Sequence, residues 1–193
     1  MKRLRANIKE EKMNINEYDE LMNKRGSCRN FDSTKQVSKD DLIKILEVAK
    51  LSPSACNSQP YSVYVVNGDE ELVKQMRDTK VAGFNGFVDE CNSFLVITEA
   101  RYTLPAKIGS VMRGTDFRAI DIGIFCANLV NACTAIGLET CILGMFAENK
   151  IKKIIGSSDR VRLVIAVGYP SSDYAQKDKQ RKLFDSHIHF VRS

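Results

Sequence analysis

Between residues 116 and 137 the chain carries a run of helical period whose apolar side chains, Phe117, Ile120, Ile124, Ala127, Leu129, Val130 and Ala135, are spread almost all round the helix. A helix of that kind has no polar face to turn to water and must be covered on most sides. The rest of the 193 residues therefore has to supply the covering layers. Residues 93–98, Ser-Phe-Leu-Val-Ile-Thr, are a continuous apolar run of strand length and predict a buried strand. Residues 61–66, 140–146 and 162–168 predict three further strands, the first closed by the turn Asn67-Gly68-Asp69.

Helices are predicted between the strands. Ile15, Tyr18, Leu21 and Met22 share one helical face. Ser38 followed by Asp41 forms an S-x-x-D capping pattern ahead of Leu42, Ile45, Leu46 and Ala49, and Pro53 stops that helix. Short charged helices are predicted over residues 70–78 and 148–155. Residues 101–115, with Pro105, Gly109 and Gly114 and no sustained period, predict a loop or a short irregular helix. Helical segments precede the first clear strand, which suits an α+β fold better than strict alternation. No G-x-G-x-x-G follows a strand and no G-x-x-x-x-G-K-[ST] occurs, so neither a dinucleotide-binding sheet nor a P-loop has its phosphate-cradling backbone.

Composition narrows the function classes. A hydrophobic fraction of 44% and a charged fraction of 27% describe a soluble globular chain of single-domain length. The net charge of +5 is mild and lies at the ends. Residues 1–12 hold five basic side chains against Glu10 and Glu11, and residues 174–193 hold five against Asp178 and Asp185. The first twelve residues read as a charged extension, and residues 13–193 as one domain. The six cysteines include no C-x-x-C pair, and His187 and His189 lie far from all of them in sequence, so no metal site is expected. No secretory leader and no run of about 18 apolar residues is present, so a cytoplasmic protein is expected. Cys126 and Cys133 on the long helix read as small core residues.

Three clusters can carry chemistry. Arg25, Ser27 and Arg29 stand at alternate positions and share one face of an extended backbone. Two guanidinium forks and a hydroxyl suit the oxygens of a phosphate monoester. The segment Ser52-Pro53-Ser54-Ala55-Cys56-Asn57-Ser58-Gln59-Pro60 is a polar loop stiffened by proline, able to read the edge of a heteroaromatic ring or simply to join a helix to a strand. Gly168-Tyr169-Pro170 ends a strand, and Lys179 and Arg181 follow, again at alternate positions.

Taken in order, these clusters resemble the nitroreductase-like flavoproteins. Arg25-x-Ser27-x-Arg29 is similar to the family's N-terminal phosphate motif, the 52–60 segment to its flavin-contacting loop, and Gly168-Tyr169-Pro170 with Lys179-x-Arg181 to its C-terminal closure. Asp121-x-Gly123 with Asn128-Leu129 resembles the long central helix, and Gly144 the glycine whose backbone approaches the flavin ring. The resemblance implies a central mixed or antiparallel sheet of about four to five strands flanked by helices, in a homodimer that binds FMN at the subunit interface. It implies that Arg25, Ser27, Arg29, Lys179 and Arg181 hold the FMN phosphate. Pro53, Ser54, Asn57 and, less centrally, Gln59 would come from the partner subunit, and Gly144 would present its backbone near the ring. Some members carry an acidic residue just before that glycine, where this chain has Leu143.

The implied activity is hydride transfer from NADH or NADPH through flavin N5 to a nitroaromatic, quinone or other electron-poor acceptor. Flavin carries that chemistry, so no catalytic side chain is required. Two alternatives stand beside it. One is a same-fold enzyme doing reductive dehalogenation or flavin ring cleavage. The other is a non-enzymatic module whose basic ends bind nucleic acid or another polyanion, which the mild charge argues against.

Overall fold

A computed structural model of the chain describes residues 14–191. The expected charged extension over residues 1–12 lies outside the described residues. Ten main elements follow in order: α1 (Ile15–Lys24), α2 (Lys39–Ala49), β1 (Tyr61–Asn67), α3 (Glu70–Arg77), β2 (Ser93–Glu99), α4 (Leu104–Arg113), α5 (Phe117–Ala135), β3 (Glu139–Leu143), α6 (Glu148–Ile155) and β4 (Val161–Gly168).

The strands form one sheet in the order β1-β2-β4-β3, with every neighbouring pair antiparallel. Successive side chains of a strand point to opposite faces, and here both faces are covered. Leu95, Ile97, Ile165 and Val167 pack with Ile45 of α2 and Phe125 and Leu129 of α5. Phe94, Val96, Val164 and Ala166 pack on the other side with Val73 and Met76 of α3 and Ile151 of α6. This sandwich explains why β2 reads as an unbroken apolar run: a strand covered on both faces has no solvent side on which to alternate. Truncating a side chain as enclosed as Leu129, which is 0% exposed, costs about 2–5 kcal/mol.

Caps set the helix starts. Ser38 Oγ accepts from Asp41 N–H at 3.0 Å, and Asp69 Oδ1 from Leu72 N–H at 3.0 Å. Each such cap contributes about 1 kcal/mol. The 101–115 segment departs from expectation, because α4 is a regular ten-residue helix. Pro105 lies in its first turn, where the missing N–H costs nothing, and Gly114 ends it at φ +60°. The helix shows no core-facing period because Ala106 is its one buried residue, while Leu104, Val111 and Met112 are exposed. β3 also stops earlier than the 140–146 run suggests; pairing with β4 ends at Leu143, and Gly144 leaves the sheet.

The long helix meets its requirement only in part. Ile122, Phe125, Cys126, Leu129, Val130 and Cys133 of α5 are buried against the sheet and α2. Tyr61 from β1 stacks on Phe125 with ring centroids 4.4 Å apart. The opposite face, carrying Ile120, Gly123, Ala127 and Ala135, is exposed on the single chain.

Candidate functional site

The segment after α1 is extended, and its burial alternates: Gly26 and Cys28 are buried, while Ser27 and Arg29 are exposed. It is pinned on both sides. Cys28 N–H donates to Thr140 O at 2.9 Å, Asp32 N–H to Tyr169 O at 2.9 Å, and Phe31 bridges to Pro170. Arg25, Ser27 and Arg29 therefore stand outward together, as their spacing predicts.

The chain beyond β4 folds back over this segment. Lys179 Nζ donates to Arg25 O, and Gln176 Nε2 donates to Asn23 O at 2.9 Å. The approach is close at Gly26, where a Cβ would stand 3.1 Å from Tyr174 Oη and 3.3 Å from Gln176 Nε2. Between the two segments lies a cleft of about 530 Å³, lined by Arg25, Ser27, Arg29, Lys177, Lys179 and Arg181 among others. Its five cations, Arg25, Arg29, Lys177, Lys179 and Arg181, face one acid, Asp178. Burial pulls the Lys179 ammonium below its ordinary range, and the Arg25 and Arg181 charges pull it further. Like charges gathered this way disfavour one another, and an anion placed among them relieves the repulsion.

Glu139, at the start of β3, was not signalled by any motif. Its Oε2 is buried without a hydrogen-bond partner. Burial raises its carboxyl, while Arg25 and Lys179 oppose the rise. Tyr174, likewise unsignalled, has its hydroxyl pushed up to about 12, first by burial and then by Glu139. Neither belongs to a short pattern: Tyr174 lines the cleft from the chain that folds back after β4, and Glu139 lies behind it, near enough to feel the charges of Arg25 and Lys179.

The second cluster does not line this cleft. The 52–59 loop sits along the N-terminal half of α5, and three of its hydrogen bonds reach residues distant in sequence. Asn128 Nδ2 donates to Ser52 Oγ at 2.7 Å, Ala55 N–H to Asp121 Oδ1 at 3.0 Å, and Thr103 N–H to Ser58 Oγ at 2.8 Å. Cys56, Asn57 and Gln59 have φ of 50°, 49° and 44°, left-handed values that cost a residue with a side chain about 1–2 kcal/mol each. Such strain persists only where surrounding contacts enforce it. Pro53, Asn57 and Gln59 are exposed and Ser54 half-buried. Ser54 Oγ accepts from Gln59 N–H at 3.0 Å, and Gln59 Nε2 donates to Asn57 Oδ1 at 3.0 Å. Gly144 is exposed after β3, with no atom within 4 Å of where a Cβ would stand. One chain thus brings together Arg25, Ser27, Arg29, Lys179 and Arg181, and leaves Pro53, Ser54, Asn57, Gln59 and Gly144 outside that cleft.

The cysteines do not join the site chemically. All six are free. Burial pushes the thiols of Cys126 and Cys133 up to about 12 and that of Cys28 to about 11. Cys56, in the strained loop, is the exposed one. Among the described residues no helix is long and apolar enough to cross a membrane.

The chain and its fold are similar to known proteins. Residues 22–169 match the model of the Nitroreductase family. The chain is 25% identical over 204 residues to the oxygen-insensitive NADPH nitroreductase of Helicobacter pylori, covering 85% of this chain and 92% of the relative. The crystal structure of a nitroreductase family protein from Streptococcus pneumoniae superposes with a TM-score of 0.77 at 23% identity, over 90% of this chain and 100% of that one. A chain from Exiguobacterium sibiricum, solved in complex with FMN, superposes with a TM-score of 0.74 at 20% identity, over 90% of this chain and 97% of that one.

Proposed function

Because the chain belongs to the nitroreductase family, we propose that it is an FMN-dependent oxidoreductase that passes reducing equivalents from NADH or NADPH to a nitroaromatic, quinone or other electron-poor small molecule. The names of its relatives support the reductant and the FMN complex of a fold neighbour supports the cofactor. The observation that carries the reading is the cationic cleft. A phosphate monoester brings up to two negative charges and needs several charge-assisted donors once it leaves bulk water. Arg25, Ser27, Arg29, Lys179 and Arg181 offer them from one wall and the other. The residues present therefore fit FMN phosphate.

When bound, the flavin supplies the two-electron chemistry, and the chain supplies binding, orientation and exclusion of water. In this reading the guanidinium forks of Arg25 and Arg29 fix the phosphate in direction, and Lys179 and Arg181 close over it. Ser27 accepts or donates a further hydrogen bond. Pro53, Ser54, Asn57 and Gln59 reach the cofactor of a second subunit, and Gly144 leaves its backbone free for close approach to the ring. Leu143, where some relatives carry an acid, places no carboxylate there. Reductant and acceptor would use the same face in turn, which gives ping-pong kinetics.

The same reading makes the protein a homodimer. The exposed apolar face of α5 and the cleft of about 380 Å³ lined by Tyr18, Leu21, Val48 and Leu51 leave apolar surface that a second copy would cover. The loop and the cationic cleft are separate on one chain, so a site needing both is complete only across two. The six free thiols suit a reducing, cytoplasmic setting.

The test is direct. Purified protein supplemented with FMN is expected to hold a yellow, stoichiometric flavin, to have a light-scattering mass of two chains, and to oxidise NADH or NADPH with a quinone. Arg25→Ala with Arg29→Ala is expected to lose the flavin. Retention of full flavin by that variant would refute the phosphate assignment. Steep salt-dependent binding of nucleic acid with no flavin uptake would favour a polyanion-binding module instead.

A further inference from the structure

The one carboxylate on α5 is buried on the helix's core-facing side. Asp121 is 3% exposed and is flanked along that face by Ile122, Phe125 and Cys126. Among the described residues it makes no salt bridge, and its Oδ2 is buried without a partner. The hydroxyl of Tyr61 is buried and unpartnered as well. An apolar residue of similar size would be easier to bury there, because an unpaired carboxylate keeps little of its hydration. What the carboxylate does provide is one acceptor: Oδ1 takes the N–H of Ala55 at 3.0 Å. Ala55 opens the turn Ala55–Asn57, and Cys56, Asn57 and Gln59, with left-handed φ, follow at once.

We propose that Asp121 is a positioning residue for cofactor binding, whose buried Oδ1 holds the 52–59 loop in the left-handed form that presents Ser54, Asn57 and Gln59 to the flavin of the partner subunit. The inference rests on the flavin reading given above. Without the acceptor, the loop relaxes toward ordinary backbone conformations, and affinity falls by the fraction of loops that remain in the binding form. With one of the three long-range anchors removed, a loss of about tenfold or more is expected, equivalent to about 1.4 kcal/mol. Asn128, two turns along the same face, ties only Ser52 at the loop's base, ahead of the strained residues.

The experiment compares Asp121→Ala with Asp121→Asn, which keeps an acceptor oxygen but not the charge. Dissociation constants for FMN and for riboflavin are read by flavin fluorescence, and amide hydrogen exchange is read over residues 54–59 without ligand. Asp121→Ala is expected to weaken FMN and riboflavin by the same factor of ten or more and to speed exchange of the Ala55 amide at least tenfold. Asp121→Asn is expected to stay within about threefold of the parent in all three readings. Arg181→Ala is expected to weaken FMN and leave riboflavin unchanged, because it acts on the phosphate. Lower thermal stability of Asp121→Ala with unchanged flavin constants and unchanged Ala55 exchange would overturn the inference. So would an Asp121→Asn variant as weak as Asp121→Ala. If Asp121→Ala does not fold, Ala55→Pro deletes the donor instead; Ser54 already has the extended backbone (φ −146°, ψ 157°) that precedes proline, and the same loss in flavin affinity is expected. A parent protein that binds neither FMN nor riboflavin would refute the flavin reading, while the exchange of Ala55 would still decide whether Asp121 sets the loop.

Discussion

Substituting Gly26 by Ala tests whether the C-terminal segment builds the cationic cleft. Gly26 has no left-handed φ, so the backbone accepts alanine, and the conformational entropy it removes from the unfolded chain stabilises by about 0.4–1 kcal/mol. Against this, the new Cβ would lie 3.1 Å from Tyr174 Oη and 3.3 Å from Gln176 Nε2. Gln176 can swing away at the loss of its bond to Asn23 O, about 1 kcal/mol. Tyr174 belongs to the core layer beneath α3 and α6 and yields less easily, at about 1 kcal/mol. The balance is a net destabilisation of about 1 kcal/mol, or a fall of about 2–4 °C in Tm for a chain of this size. The effect on the cleft is larger, because displacing residues 174–176 carries Lys179 and Arg181 with them. Losing one charge-assisted contact to phosphate removes about 1.5–3 kcal/mol, or about 10- to 150-fold in FMN affinity. The assay pairs thermal melting of the flavin-free protein with FMN titration. An unchanged FMN constant would refute the claim that this segment closes the site. A stability loss far above 3 kcal/mol would instead assign Gly26 to core packing.

Other consequences are equally concrete. Burial holds the Glu139 carboxyl above its ordinary value of 4.5, so the folded state binds that proton more tightly than the unfolded chain, and stability falls as pH rises from about 4.5 through the raised value. Glu139→Gln is expected to be more stable than the parent at pH 8 and equal to it near pH 4; a difference independent of pH would contradict this. Ala127→Arg, on the exposed face of α5, is expected to halve the light-scattering mass and release flavin together, whereas a monomer that keeps flavin would break the shared-site reading. Gly168→Ala would set a Cβ 3.0 Å from Phe31 Cδ1, and a loss of about 1–3 kcal/mol in denaturant melts is expected. A native-state thiol titration at pH 8 is expected to modify Cys56 quickly and the five buried cysteines only on unfolding; rapid reaction of Cys28 would show that its segment opens.

Much of the fold was legible because its elements are locally consistent. The four strands, β3 in a shorter form, the cap at Ser38, the turn before α3 and the stop before Pro53 appear where short-range patterns put them. The misreading of α4 has a physical cause: nearly all its apolar residues face away from the chain's own core, so the period that marks a helix packed on a core is missing. The chain's own layers cover only one side of α5, for a related reason. A sequence reports how much surface must be covered and not whose surface covers it.

The phosphate-type clusters were legible as residue types at alternate spacing, since an extended backbone fixes which side chains share a face. Their meeting was not. Lys179 and Arg25 are 154 positions apart, and only the strand order β1-β2-β4-β3, with the chain folding back after β4, brings them into contact. Asp121 and Glu139 show the same division more sharply. As letters they are a carboxylate on an apolar helix, noted only as part of the Asp121-x-Gly123 pattern, and another at a strand start that no pattern marks. Burial then makes one a lone acceptor for a strained loop and the other a raised acid behind a cluster of cations. Local sequence determines the regular elements, their caps and which side chains share a face, because those depend on neighbours a few residues away. The tertiary structure alone decides desolvation and convergence of charge, because both depend on what the rest of the chain excludes from water.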